Sequence, residues 1–128
     1  GKVHGALAYQ EDKPVGYISY GPRTDFKKIE RSPSLSCDDS AEVWSVTCFF
    51  IAPNYRNKGI ASALLDFAAK SVKEMNVAKA LEGYPAETHG KTWPAAFVWT
   101  GTVPLFKRLG FKRASKKMTG TVRMRKKL

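Results

Sequence analysis

Cysteine and histidine are scarce, at two of each in 128 residues. Cys37 and Cys48 have no metal-ligand spacing and His4 and His89 stand apart, so no metal site is expected. A single bridge would be atypical of a secreted scaffold of this size. Both thiols are therefore read as reduced and the chain as cytoplasmic. No apolar run approaches the ~20 residues of a membrane span, and no secretory signal opens the chain. The phosphate-loop pattern GxxxxGK[ST] and the dinucleotide pattern GxGxxG are both missing. Acidic residues are missing from one end: Lys107 to Leu128 holds ten basic residues and no acidic one. The first 106 residues hold twelve basic and eleven acidic, so the net charge of +11 marks a near-neutral body with a basic end.

Apolar residues make up 43% of the chain, enough for a core, and the length suits one domain over 1–128. Leu7–Tyr9, the polar turn Glu11-Asp12-Lys13-Pro14 and Val15–Tyr20 read as a hairpin. The polar stretch 24–40 crosses the surface with a helical turn near Phe26–Ile29. Val43–Ile51, rich in β-branched and aromatic residues, reads as a buried strand. Ile60, Leu64, Phe67, Ala68, Val72 and Met75 recur at helical spacing. Val77–Tyr84 is a further strand, and Glu87–Thr100, with Trp93 and Trp99, a loop. Val103–Leu109 is a short helix stopped by Gly110. Phe111–Lys116 and Thr121–Arg125 close the chain as a hairpin. This order gives an α/β or α+β layer fold.

The chemistry concentrates where strand meets helix, at Phe49–Leu65. A helix start leaves about four backbone N–H groups without helical partners and a partial positive charge, a setting that suits phosphate. Gly59 permits close backbone approach, Ala61 keeps the next turn narrow, and Arg56 and Lys58 add positive charge. On these grounds alone, a helix entry decorated with solvated cations is an equal reading.

Arg56-Asn57-Lys58-Gly59-Ile60-Ala61, preceded by Ile51-Ala52-Pro53-Asn54-Tyr55, resembles the Arg/Gln-x-x-Gly-x-Gly/Ala pyrophosphate loop of the GCN5-related N-acetyltransferase (GNAT) family. Leu105-Phe106-Lys107-Arg108-Leu109-Gly110-Phe111 resembles that family's later helix ending in Gly-Phe. Trp44–Phe50 with Leu81-Glu82-Gly83-Tyr84-Pro85 is similar to a bacterial branch. The resemblance implies a mixed, mostly antiparallel sheet flanked by helices, with acetyl-CoA as co-substrate and no metal. It also implies that the Phe49, Phe50 and Ile51 backbone pairs with the pantetheine arm and polarises the thioester carbonyl. Arg56, Asn57, Lys58, Gly59, Ile60, Ala61 and Ser62 would hold the pyrophosphate, and Phe106 and Lys107 would flank the cofactor. A primary amine, small molecule or peptide, would attack the thioester directly.

Two positions depart from the family's pattern. The Glu often found eleven residues before the loop arginine is Ser45, and the Tyr often found four residues before the Gly-Phe glycine is Phe106. Glu82 and Tyr84, on one face of their strand by alternation, and Glu42 are the substitute catalytic candidates. Each carboxylate has the alternative reading of a solvated or ion-paired group, and Tyr84 that of a packing residue. Arg23 either meets an anionic acceptor or is solvated, and Cys48 is read as core. The chain looks N-terminally short of the family's usual strand and two helices, which would open a sheet edge and favour a homodimer. The alternatives are a CoA-binding protein without catalysis and a basic nucleic-acid-binding module. Nucleic acid is the weaker expectation, because no aromatic platform or recognition helix accompanies the basic cluster. No membrane partner is expected.

Overall fold

A computed structural model describes residues 4–27, 29, 39–52, 55, 59–87, 103–114 and 120–128. Strand β1 (His4–Gln10) turns directly into β2 (Lys13–Pro22). Glu11 and Asp12 both take positive φ, 50° and 65°, as a two-residue hairpin turn requires. Lys13 and Pro14, expected in the turn, belong to β2. Pro14 faces Tyr9 at a register shift, where its missing N–H disturbs the ladder least. A 3₁₀ turn at Arg23–Asp25 follows, and the Ile29 N–H bonds to the Phe26 carbonyl at 3.0 Å, a turn where one was expected.

A second 3₁₀ turn, Ser40–Glu42, leads into β3 (Val43–Ile51). Helix α1 (Ile60–Met75) packs against β1, β2 and β3. Its buried stripe is Leu64, Leu65, Ala68, Ala69 and Val72. Phe67, expected on that stripe, is 54% exposed, because the stripe turns one residue further around the helix. Strand β4 spans Ala80–Gly83, shorter than the expected 77–84, since Asn76 ends α1 at φ 55° and Val77 stays exposed. The short β5 (Ala86–Glu87), helix α2 (Val103–Arg108), β6 (Lys112–Arg113), β7 (Gly120–Thr121) and β8 (Met124–Lys127) complete the order.

The main sheet runs β1-β2-β3-β4-β8-β6, and β5 pairs with β7 in a second, two-stranded sheet. Among the described residues β3 and β4 run parallel and the other strand pairs are antiparallel. The closing hairpin forms through Lys112↔Arg125 and Arg113↔Met124, three residues later on its second arm than expected, because Gly120–Thr121 pairs with β5 instead. The core lies between the sheet and its helices. It joins Ile18, Trp44, Phe49, Leu65, Leu81, Phe106, Phe111, Val122 and Met124. No helix among the described residues is long and apolar enough to cross a membrane.

Candidate active site

Strands β3 and β4 pair only at Val43↔Ala80, Trp44↔Leu81 and Ser45↔Glu82. Beyond Ser45, β3 continues to Ile51 with β2 alone of these two neighbours beside it, while β4 ends at Gly83. An extra residue, Thr47, bulges between Val46 and Cys48 opposite Ser19 and Tyr20. The result is a parallel pair that parts after its first three rungs.

A buried polar network sits where the strands part. The Tyr84 phenol and Ser45 Oγ lie 2.6 Å apart, joining β3 to the end of β4. The phenol donates to Glu82 Oε1 at 3.0 Å and accepts from Arg23 Nε at 3.3 Å. Arg23 Nε also reaches Glu82 Oε1 at 3.1 Å, and its Nη1 donates to Ser40 Oγ at 3.0 Å. Glu82 Oε2 accepts from Arg123 Nη1 at 2.7 Å and from Arg125 Nε at 2.8 Å. Arg125 grips Asp39 with both terminal nitrogens, at 2.7 and 2.9 Å. Glu82 is 0% exposed and Arg23 1%. A carboxylate withdrawn this far from water persists because both oxygens are filled by charge-assisted bonds. Burial, then the neighbouring Glu82 charge, push the Tyr84 phenol far above its ordinary range. Tyr84 is therefore a proton-holding group and not a base.

At the other end of β3, the chain enters α1 through Gly59, which has φ 80° and no side-chain cap above it. The first helical bond runs from the Ala63 N–H to the Gly59 carbonyl at 3.0 Å. The amides of Gly59, Ile60, Ala61 and Ser62 are thus the four that an α-helix leaves without helical acceptors. A Cβ built on Gly59 meets nothing within 4 Å among the described residues. The glycine is needed for its backbone angle, and no described residue fills the space above it, which fits a bulky anion seated on these amides.

The Gly-Phe ending of α2 has a defined geometry. The Gly110 N–H bonds to the Lys107 carbonyl at 3.1 Å and the Phe111 N–H to the Phe106 carbonyl at 3.0 Å, with Gly110 at φ 91°. This is the paired C-terminal closure that ends helices at glycine. Its accompanying hydrophobic contact is Phe106 against Phe111, edge to face, with ring centroids 4.9 Å apart. The Lys126 Nζ donates to the Leu109 carbonyl at 2.8 Å, a cation at the negative end of the helix.

The structure thus sorts the candidate residues. Glu82 and Tyr84 do share a face and a hydrogen bond. Glu82 is no open carboxylate, however, since three guanidinium groups occupy both oxygens. Glu42 lies before β3, at the end away from Phe49–Ile51, in an exposed ion pair with Lys79 at 3.3 Å. It is therefore not placed at the parting of the strands. Phe106, expected beside the cofactor, is fully buried against Gly83 and Phe111, because an apolar ring there completes the core. Lys107 is exposed. Arg56, Asn57 and Lys58 lie outside the described residues, as do Cys37, His89, Trp93 and Trp99. Arg23 is neither solvated nor open to an anionic acceptor. Burial pushes the half-buried Cys48 thiol up, so it holds its proton more tightly than a free thiol, against a nucleophilic role. Asp39, Arg123 and Arg125 were not singled out by the sequence. The available signal was Glu82 itself, a charge inside an apolar strand that demands counter-charges from elsewhere. No group of three or more His, Cys, Asp or Glu among the described residues could hold a metal.

The family model of the acetyltransferase (GNAT) family matches residues 2–111. Among solved structures, the chain resembles a GCN5-related N-acetyltransferase from Kribbella flavida at 19% identity and TM-score 0.66, covering 98% of this chain and 68% of that one. It resembles a ribosomal-protein-alanine N-acetyltransferase from Brucella melitensis at 22% identity and TM-score 0.65, covering 97% and 68%. A PaiA N-acetyltransferase from Thermoplasma acidophilum in complex with coenzyme A matches at 16% identity and TM-score 0.63, covering 98% of this chain and 61% of its own. The chain therefore spans 61% to 68% of these three proteins. A search of curated proteins finds no match. With the family model covering most of the chain, and with parted strands, an uncapped glycine helix start and a Gly-Phe helix end in order, this chain belongs to the GNAT acetyltransferase family.

Proposed function

We propose that the protein is an acetyl-CoA-dependent N-acetyltransferase acting on a primary amine. One observation carries the reading: β3 outruns β4 after Ser45 and leads toward a helix start at Gly59 that no described side chain caps or covers. In this reading the Phe49–Ile51 backbone holds the pantetheine arm as an added strand. The amides of 59–62, with Arg56, Asn57 and Lys58, hold the pyrophosphate, and Lys107 lies near the cofactor's anionic end. When bound, acetyl-CoA supplies a thioester whose carbonyl is open to direct attack by the amine.

Proton handling follows from the residues present. Ser45 is not a base at neutral pH, the Glu82 oxygens are engaged, and Glu42 stands on the far rim. The amine therefore loses its proton to water on the way in, and Glu82 and Tyr84 act by fixing the site's shape. The rate then rises with pH along the acceptor's own titration, toward about pH 10.4 for a lysine-like amine. The thiol of Cys48, unbridged among the described residues, fits a reducing compartment such as the cytoplasm.

The test is a melting-temperature shift with acetyl-CoA together with free-thiol release over a panel of primary amines and amine-bearing peptides. Stabilisation with amine-dependent thiol release is expected. No stabilisation at millimolar acetyl-CoA overturns the reading. Stabilisation without thiol release for any amine favours the second reading, a CoA-binding member without catalysis, which Ser45 at the usual glutamate position motivates.

A further inference from the structure

The connection from β2 to β3 runs from Arg23 to Glu42, and one carboxylate reaches its two flanks, at Arg23 and at Asp39. Glu82 takes Arg23 directly on Oε1. Through Oε2 it takes Arg125, which in turn holds Asp39 by two bonds. Arg23 also reaches across to Ser40, tying the two flanks to each other. The same carboxylate receives the Tyr84 phenol, which also contacts Ser45 at the point where the strands part. The first 3₁₀ turn is thus two side-chain contacts from Ser45, through Arg23 and Tyr84, and the second is three, through Ser40, Arg23 and Tyr84.

We infer that Glu82 is a positioning residue: its carboxylate locks both flanks of the β2–β3 connection to the parting of β3 and β4, and so sets the acceptor side of the site. The inference rests on the acetyltransferase reading for its kinetic consequence, but not for its structural one. A proton-accepting Glu82 needs an open oxygen facing the amine. This Glu82 carries Arg23 and Tyr84 on one oxygen and Arg123 and Arg125 on the other, so it serves as the hub of a charged cluster. Hubs of this kind fix one arrangement out of several.

Two backbone amides report the flanks independently of activity. The Phe26 N–H bonds to the Arg23 carbonyl at 3.1 Å, and the Glu42 N–H to the Asp39 carbonyl at 2.9 Å. Hydrogen exchange at these amides is measured in the parent, Asp39→Asn and Glu82→Gln. Asp39→Asn cuts a partly exposed pair on one flank, so exchange at Glu42 speeds up about fivefold while Phe26 is unchanged. Glu82→Gln releases both, and exchange at Phe26 and Glu42 rises together by on the order of a hundredfold, because a buried pair is broken. Should Glu82→Gln fail to fold, the one-sided response of Asp39→Asn at Glu42, and a response of Arg23→Lys at both Phe26 and Glu42, because Arg23 also holds Ser40, carry the test. In the kinetic arm, Asp39→Asn raises the amine KM about fivefold with kcat within about twofold, and leaves the pH profile unmoved. Unchanged exchange at both amides in Glu82→Gln, with kcat lost and the pH profile altered at constant amine KM, overturns the inference in favour of a catalytic base. If no amine is acetylated by the parent, the acetyltransferase reading fails while the exchange pattern still decides the anchoring.

Discussion

Gly59→Ala separates a cofactor seat from a mere helix entry. The alanine must adopt φ 80°, a left-handed conformation that costs an L-residue about 1–2 kcal/mol. The described residues add no steric term, since a Cβ there meets none of them within 4 Å. With an m-value of about 1.5 kcal/mol/M, the urea midpoint falls by about 1 M. The methyl group points into the space where a pyrophosphate would approach the amides, and a tenfold loss of affinity is the minimum expected. At an acetyl-CoA concentration of about 100 times the parent's Kd, the parent gains about 2.7 kcal/mol and a tenfold weaker variant about 1.4 kcal/mol. Urea titrations of both proteins with and without acetyl-CoA measure the strain and the binding loss side by side. The reasoning is refuted if the variant loses its stability increment but keeps the full acetyl-CoA response. It is equally refuted if destabilisation exceeds about 3 kcal/mol, which would reveal packing that the open geometry denies.

Gly83→Ala acts by the opposite cause. Its Cβ would overlap the Phe106 ring in a fully buried site, so a loss of about 1–3 kcal/mol is expected, partly recovered by Phe106→Leu in a double-mutant cycle. Ser45→Glu, which installs the family's frequent carboxylate, places a second anion against Tyr84 and Glu82 in a site closed to water. Destabilisation beyond about 3 kcal/mol in urea, with no gain in turnover, is expected. Tyr84 gives a pH signature: its folded pKa is raised above the ordinary 10.0, so its contribution is complete below about pH 10. That contribution is lost as pH climbs toward the folded value. Alkaline unfolding series should show a steeper stability loss above pH 10 in the parent than in Tyr84→Phe, and parallel curves would contradict the assignment.

Much of the architecture was legible because it rests on local chemistry. The α1 stripe, the Glu11-Asp12 turn and the Gly110 helix stop each follow from periodicity or from a residue's tolerance of positive φ. Boundaries slipped where tertiary pairing overruled local pattern. Thr121 reads as the start of the last hairpin's second arm yet, with Gly120, pairs with Ala86–Glu87, and β4 begins only at Ala80, where the Lys79 N–H meets the Glu42 carbonyl. Alternation correctly put Glu82 beside Tyr84, but alternation speaks of faces and not of neighbours. What surrounds Glu82 comes from three distant segments, Arg23, Asp39 and the Arg123–Arg125 stretch, brought together only when β8 inserts between β4 and β6. Phe106 shows the same limit: its motif position speaks of the cofactor, and says nothing of the missing side chain at Gly83 that makes room for its ring in the core.

The basic C-terminal end takes on a different meaning in the same light. Ten cations without an acidic neighbour in sequence suggested a surface for an anionic partner. Three of them are spent inside the fold: Arg123 and Arg125 on Glu82, and Lys126 on the Leu109 carbonyl. Arg125 shares its charge with Asp39 as well, so the cluster of Arg23, Arg123 and Arg125 against Glu82 and Asp39 carries a single net positive charge. The acidic residues that balance these arginines sit in the first two thirds of the chain, which is why the sequence skew looked unbalanced. The imbalance in sequence is thus partly the record of a long-range ionic contact that closes the sheet. Exposed Lys107, Arg108, Lys112 and Lys127 remain, and of these Lys107 and Arg108 extend from the helix assigned to the cofactor side. In that reading Lys107→Glu weakens acetyl-CoA binding in a salt-dependent way, whereas Lys127→Glu, on β8 opposite Ala80, does not. Equal losses from both charge reversals would trace the effect to overall charge rather than to a cofactor contact.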